Sequence, residues 1–136
     1  MEERLYGHKK MIVWQMADKL DALIQKVLEK IPRMEFKLRE QLDSASDSIV
    51  SNFVEGYYSN SLAEYIRFCR YSKRSVGEVQ QRMRRILRKR YVAENEFAEI
   101  DSVAGRTMYL FDRLMDALER KRVNIEEAKK LKSKHF

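Results

Sequence analysis

From Lys9 to Ile31 the apolar residues recur at steps of three and four: Val13, Met16, Leu20, Leu23, Ile24, Val27 and Ile31. That spacing draws a stripe along one face of an α-helix and fits no strand. Pro32, the only proline of the chain, stops the run, because proline cannot continue the hydrogen-bond ladder and restricts the residue before it. The first helix is therefore expected over residues 9–31, behind a short arm at residues 1–8.

Three further stripes follow. Leu38, Leu42, Ala45, Ile49, Asn52 and Gly56 step by four and three, with Ser44, Ser48, Ser51 and Glu55 on a polar stripe beside them. Gly56 reads as the residue just past the helix end, where a left-handed backbone is cheapest. Ser61-Leu-Ala-Glu64 is a capping-box pattern: the serine hydroxyl caps a backbone N–H and the glutamate reaches back. The third helix runs from there to about Lys89 on a seam of Tyr65, Cys69, Ser72, Val76, Val79, Met83 and Ile86. Gly77, on its outer side, marks either a close approach or a weak point. After a turn near residues 90–94, Phe97, Ile100, Ala104, Met108, Phe111, Leu114 or Met115, and Leu118 form the fourth seam. The basic residues from about 121 to 136 either extend that helix or form a mobile tail. One Pro and four Gly in 136 residues leave little punctuation for strands. The expected fold is all-α: an antiparallel up-down-up-down four-helix bundle making a single domain over 1–136.

The charge is unevenly placed. Residues 1–66 carry nine Lys/Arg against eleven Asp/Glu, and residues 91–136 carry nine of each. Residues 67–90 carry ten basic residues and one acid, Glu78, so this segment nets +9 and supplies the excess behind the chain's +7. Arg67, Arg70, Arg74, Arg84, Arg85 and Arg88 are the candidate nucleic-acid-binding residues. Their role would be phosphate contact, since a face with almost no acid suits a row of phosphates better than a solvated surface, which mixes signs. Trp14, Tyr57, Tyr58, Tyr65, Phe68 and Tyr71 are aromatic residues that either stack on bases or fill the core.

Other chemistries find little support. The only histidines, His8 and His135, stand at opposite ends, which disfavours a di-metal bundle centre and His-dependent nucleophilic catalysis. Cys69 lies on a core seam and reads as an inert thiol. There is no Gly-rich phosphate loop. Glu55 and Glu64 flank the second turn, but helix capping explains Glu64 without invoking acid–base chemistry. No enzyme activity, metal or cofactor is expected. No apolar run reaches membrane-spanning length, and the acidic Met1-Glu-Glu-Arg opening is no signal peptide, so no membrane partner and a cytoplasmic location are expected. The lone cysteine agrees with a reducing compartment. The alternative to nucleic acid is a scaffold whose basic face meets an acidic protein partner.

Val13-Trp-Gln-Met-Ala17, Gln41-Leu42, Ser48-Ile-Val-Ser-Asn-Phe-Val-Glu-Gly56, Ser61-Leu-Ala-Glu-Tyr-Ile-Arg-Phe68 and Ser75-Val-Gly-Glu78 together resemble the four-helix-bundle proteins encoded in intervening sequences of large-subunit ribosomal RNA. The similarity spans about residues 9–120. Bundles related to that family include the accessory variability proteins of diversity-generating retroelements, which are basic, form five-membered rings and bind nucleic acid and a reverse transcriptase. The resemblance implies a cytoplasmic homopentamer without established enzymatic activity, a possible accessory to a reverse transcriptase or to a ribosomal RNA-related process. The chain departs from the family at Asp43-Ser-Ala-Ser-Asp47, where Arg- and Ala-rich sequence is usual. It also departs at Val50, usually Pro, and at Phe53-Val54, usually Ile-Ala.

Overall fold

The computed structural model describes residues 5–134. Residues 1–4 of the expected arm and 135–136 of the expected tail lie outside them. Four α-helices follow in order: α1 (Ile12–Leu28), α2 (Phe36–Tyr57), α3 (Leu62–Arg88) and α4 (Glu94–Lys134), with no strand among the described residues. Short 3-10 turns at Gly7–Lys10 and Arg33–Glu35 precede α1 and α2. α1 packs on α2 and α4, and α3 packs on α2 and α4, so neighbours in sequence are neighbours in space. Short links then make successive helices antiparallel, which is the up-down-up-down bundle the four stripes imply.

The stripes become the core. Leu20 and Ile24 of α1, Leu42, Ile49 and Phe53 of α2, Val76, Val79, Met83 and Ile86 of α3 and Phe111 of α4 are all at most 2% exposed. Phe53 and Phe111 meet edge to face across the bundle, with ring centroids 6.0 Å apart. Two buried hydroxyls are satisfied inside: Ser72 Oγ donates to the Ile49 carbonyl at 2.8 Å, and Ser46 Oγ donates to Asp21 at 2.7 Å.

Several boundaries differ from the sequence expectation. α1 stops at Leu28 rather than Ile31, with turn bonds from Lys30 to Val27 and from Ile31 to Leu28 absorbing the last residues before Pro32. The described part of the N-terminal arm is tied down. Gly7 takes a left-handed φ of 55° beneath Tyr58, His8 Nδ1 lies 3.0 Å from the Tyr58 hydroxyl, and the His8 ring meets Trp14 edge-on. Gly56 is not past the end of α2 but inside it, buried and helical. A Cβ there would lie 2.7 Å from Phe68 Cβ and 3.3 Å from the Tyr65 carbonyl oxygen, so this glycine serves the α2–α3 contact. The left-handed residue lies instead at the far end of α3. Arg90 has φ 63°; its N–H donates to Leu87 O and the Tyr91 N–H donates to Ile86 O, the paired closure of a Schellman turn.

α4 has 41 residues, about 62 Å of helix, against 17 in α1, about 26 Å. Its last buried residue is Leu118, and residues 120–134 are all exposed. Of the two alternatives for the C-terminal region, the described part extends the helix. No helix among the described residues is long and apolar enough to cross a membrane.

Candidate functional site

α3 begins where Ser61 caps it. The backbone is extended at Ser61, and its hydroxyl accepts from the Glu64 N–H at 3.3 Å. Only half of the capping box forms, because the Glu64 carboxylate accepts from Arg67 at 2.6 Å instead of returning to the cap. Downstream, Ile66, Cys69, Ser72, Val76, Val79, Met83 and Ile86 turn inward, so Ile66 and not Tyr65 is the first buried residue of the seam. With that face committed to the bundle, Arg67, Arg70, Arg74, Arg84, Arg85 and Arg88 all fall on the outside and are all exposed. At the helical repeat they share an arc of roughly 100° and span about 32 Å along the axis.

The six arginines form two groups of three. Arg67, Arg70 and Arg74 lie near the α2–α3 turn, and Arg84, Arg85 and Arg88 near the α3–α4 turn. Gly77 and Gln81 separate them on the same arc, and Glu78 lies just beyond its edge. Glu78 borders a groove of about 360 Å³ with Lys37, Glu40, Gln41, Ser44 and Arg82, so the sole acid of the segment is drawn toward α2. Lys73 is diverted to the other flank, where it pairs with Asp112 of α4 at 2.6 Å. Lys89 leaves the arc as well, donating to Glu35 at 2.6 Å. Among the described residues, Arg70, Arg74, Arg84, Arg85 and Arg88 have no carboxylate within ion-pair distance, and Arg67 has one, Glu64. The bundle thus uses the neighbouring lysines for its own closure and leaves five arginines without an ion-pair partner among the described residues.

Three of these arginines lie over aromatic rings. Arg67 stands 5.4 Å from the Phe68 ring centre and 5.9 Å from that of Tyr71, and Arg74 stands 5.7 Å from the Tyr71 ring centre. Arg84 stands 5.7 Å from Phe97 of α4. A guanidinium over a ring is held by the ring quadrupole and loses rotamer freedom before any ligand arrives.

The carboxylates do not gather. Glu55 and Glu78 are exposed, and Glu78 lies about 21 Å further along α3 than Glu64. Among the described residues no group of three or more His, Cys, Asp or Glu side chains stands where it could hold a metal ion. Cys69 is fully buried, and burial pushes its thiol up to about 12. Tyr57 and Tyr65 pack against the core, and the buried Tyr65 hydroxyl has no hydrogen-bond partner among the described residues.

Sequence reasoning missed the acidic neighbour of this face. No Lys or Arg occurs between Arg39 and Arg67, a stretch that carries Glu40, Asp43, Asp47, Glu55 and Glu64. Because α2 packs directly on α3, an acidic helix flanks the basic one, and the molecule is polar across its width. The signal was present in the charge order along the chain.

A family model described as "23S rRNA-intervening sequence protein" matches residues 9–110. Among solved structures, a protein of unknown function from the S23 ribosomal protein family of Bacteroides thetaiotaomicron VPI-5482 shares the fold. Its TM-score is 0.72 at 16% identity, over 76% of this chain and 98% of that one. No curated protein matches.

Proposed function

The chain belongs to the 23S rRNA-intervening sequence protein family, and from its charge layout we propose that it is a non-enzymatic nucleic-acid-binding bundle that holds RNA or single-stranded DNA along α3. Five exposed arginines on one face of a helix, without an ion-pair partner among the described residues, are the observation that carries this reading. Arginine forks match phosphate oxygens, and phosphate contacts position a strand without reading its sequence. The acidic flank on α2 repels the backbone from the neighbouring face and confines it to α3. In this reading the protein acts in the cytoplasm, assembles with copies of itself, as a pentamer if it follows the resemblance described above, and assists a larger nucleic-acid enzyme or ribosomal RNA process.

An acidic protein partner is the rival occupant. None of the large exposed apolar side chains among the described residues belongs to α3, and the rings on this face, Phe68 and Tyr71, are half-buried, so it offers charge without the broad apolar centre that protein interfaces use.

Arg70→Ala combined with Arg88→Ala is the direct test. Neither residue pairs with a carboxylate or a ring among the described residues, so the fold does not depend on them. Removing both should weaken binding of a labelled single-stranded RNA and reduce the slope of log affinity on log salt by about 1.4. An unchanged affinity together with an unchanged slope refutes the assignment.

A further inference from the structure

The two halves of the arginine face differ in what lies beneath them. Under Arg84 the ring is Phe97, which is half-buried and packed against the hydrophobic core. Under Arg67 and Arg74 the rings are Phe68 and Tyr71. They are half-buried, but they are not among the residues that pack against the core, whereas Tyr57, Tyr65 and Tyr91 are. Phe68 and Tyr71 instead stand against each other, 5.8 Å apart and nearly perpendicular at 89°. What fixes them is local: Phe68 rises from its close contact over Gly56, and Arg67 and Arg74 both stand within 6 Å of the Tyr71 ring centre, at 5.9 and 5.7 Å.

Rings that do not serve the core and are flanked by cations have the makeup of a base platform. Nucleobases stack on aromatic faces, neighbouring guanidinium planes extend the stack, and the same arginines hold the adjoining phosphates. Within a duplex the base faces are already stacked on one another, so such a platform engages an unpaired base. We propose that Tyr71, backed by Phe68, is a stacking subsite for an unpaired base of a single-stranded nucleic acid whose adjoining phosphates lie on Arg67, Arg70 and Arg74. This rests on the nucleic-acid reading of α3 and adds to it a strand state, a polarity along the helix and a contact that is not electrostatic. Bases are held at the Arg67–Arg74 end, and the Arg84–Arg88 end holds backbone only.

The test uses the full chain and three labelled probes of equal length: oligouridine, its abasic counterpart and an RNA duplex. Oligouridine should bind about tenfold tighter than the abasic strand and tighter than the duplex. Tyr71→Leu should abolish the preference over the abasic strand while keeping the salt slope, and Tyr71→Phe should keep both. The Arg70→Ala/Arg88→Ala variant should lose affinity for all three probes. Should Tyr71→Leu fail to fold, photocrosslinking of 5-iodouridine-substituted RNA to the wild type decides, with the adduct expected on Tyr71 or Phe68. Equal binding of the base-bearing and abasic strands, or a crosslink confined to another helix, overturns the stacking subsite and leaves the phosphate face standing. Failure of every probe to bind at low salt overturns both.

Discussion

Gly56 and Phe68 approach so closely that a Cβ on the glycine would lie 2.7 Å from the Cβ of the phenylalanine. This one contact sets how near α2 can come to α3, and it holds the ring that stands under Arg67. The obstruction also includes the Tyr65 backbone, at 3.3 Å from its carbonyl oxygen, which cannot rotate away.

Gly56→Ala should therefore destabilise the bundle by about 1–3 kcal/mol, the usual cost of overpacking, even though alanine is the better helix former. Gly77→Ala is the control. A Cβ there meets only the Met108 methyl, at 4.0 Å, so the propensity gain of about 0.5–1 kcal/mol should appear as added stability. Opposite shifts in denaturation midpoint test the pair.

Arg90 closes the Schellman turn after α3 with a φ of 63°, a conformation that costs a side-chain-bearing residue roughly 1–2 kcal/mol. Arg90→Gly should stabilise the fold by about 1 kcal/mol, part of the relief being offset by the freer unfolded chain. Arg90 lies outside the six arginines proposed to meet phosphate, so nucleic-acid affinity should change little.

Cys69 is fully buried and its thiol is raised to about 12. The native protein should react with an aromatic disulfide reagent far more slowly than the unfolded chain, which should titrate one thiol. Rapid native labelling would show that the α3 seam opens.

Glu35 sits between Lys89 and Tyr91, and the bond from Lys89 holds its carboxyl below the ordinary value of 4.5, with the Tyr91 hydroxyl adding to it. A lowered carboxyl stabilises the folded chain above the unfolded value and loses that contribution as pH falls through the folded one. The stability difference between wild type and Glu35→Gln should be constant above about pH 5 and shrink below pH 4.5. Glu96, lowered by its bond to Lys30, should behave the same way at the α1–α4 contact.

The four helices were legible because their buried faces repeat at the helical period, and Pro32 and Ser61 punctuate them with unambiguous chemistry. What was not legible depended on partners distant in sequence. Gly56 looks like a helix stop until Phe68 is seen above it, and Glu64 looks like a cap until Arg67 takes its carboxylate. The described end of α4 carries no buried stripe after Leu118, so periodicity could not decide between helix and tail. The six arginines were legible as a face, since exposure follows from the opposite seam. Their division into two groups is in the spacing too, but the lysines diverted to Glu35 and Asp112 required the neighbouring elements.

The most direct test of the arginine face is the salt dependence of wild-type binding to a labelled single-stranded RNA, with light scattering in the same buffer to fix the assembling mass. If all six arginines meet phosphates, log affinity should fall against log salt with a slope near −4 per bound chain, taking about 0.7 for each single-strand contact. A slope near zero, or no binding at low salt, would contradict phosphate contact along α3 and leave the face to an acidic protein.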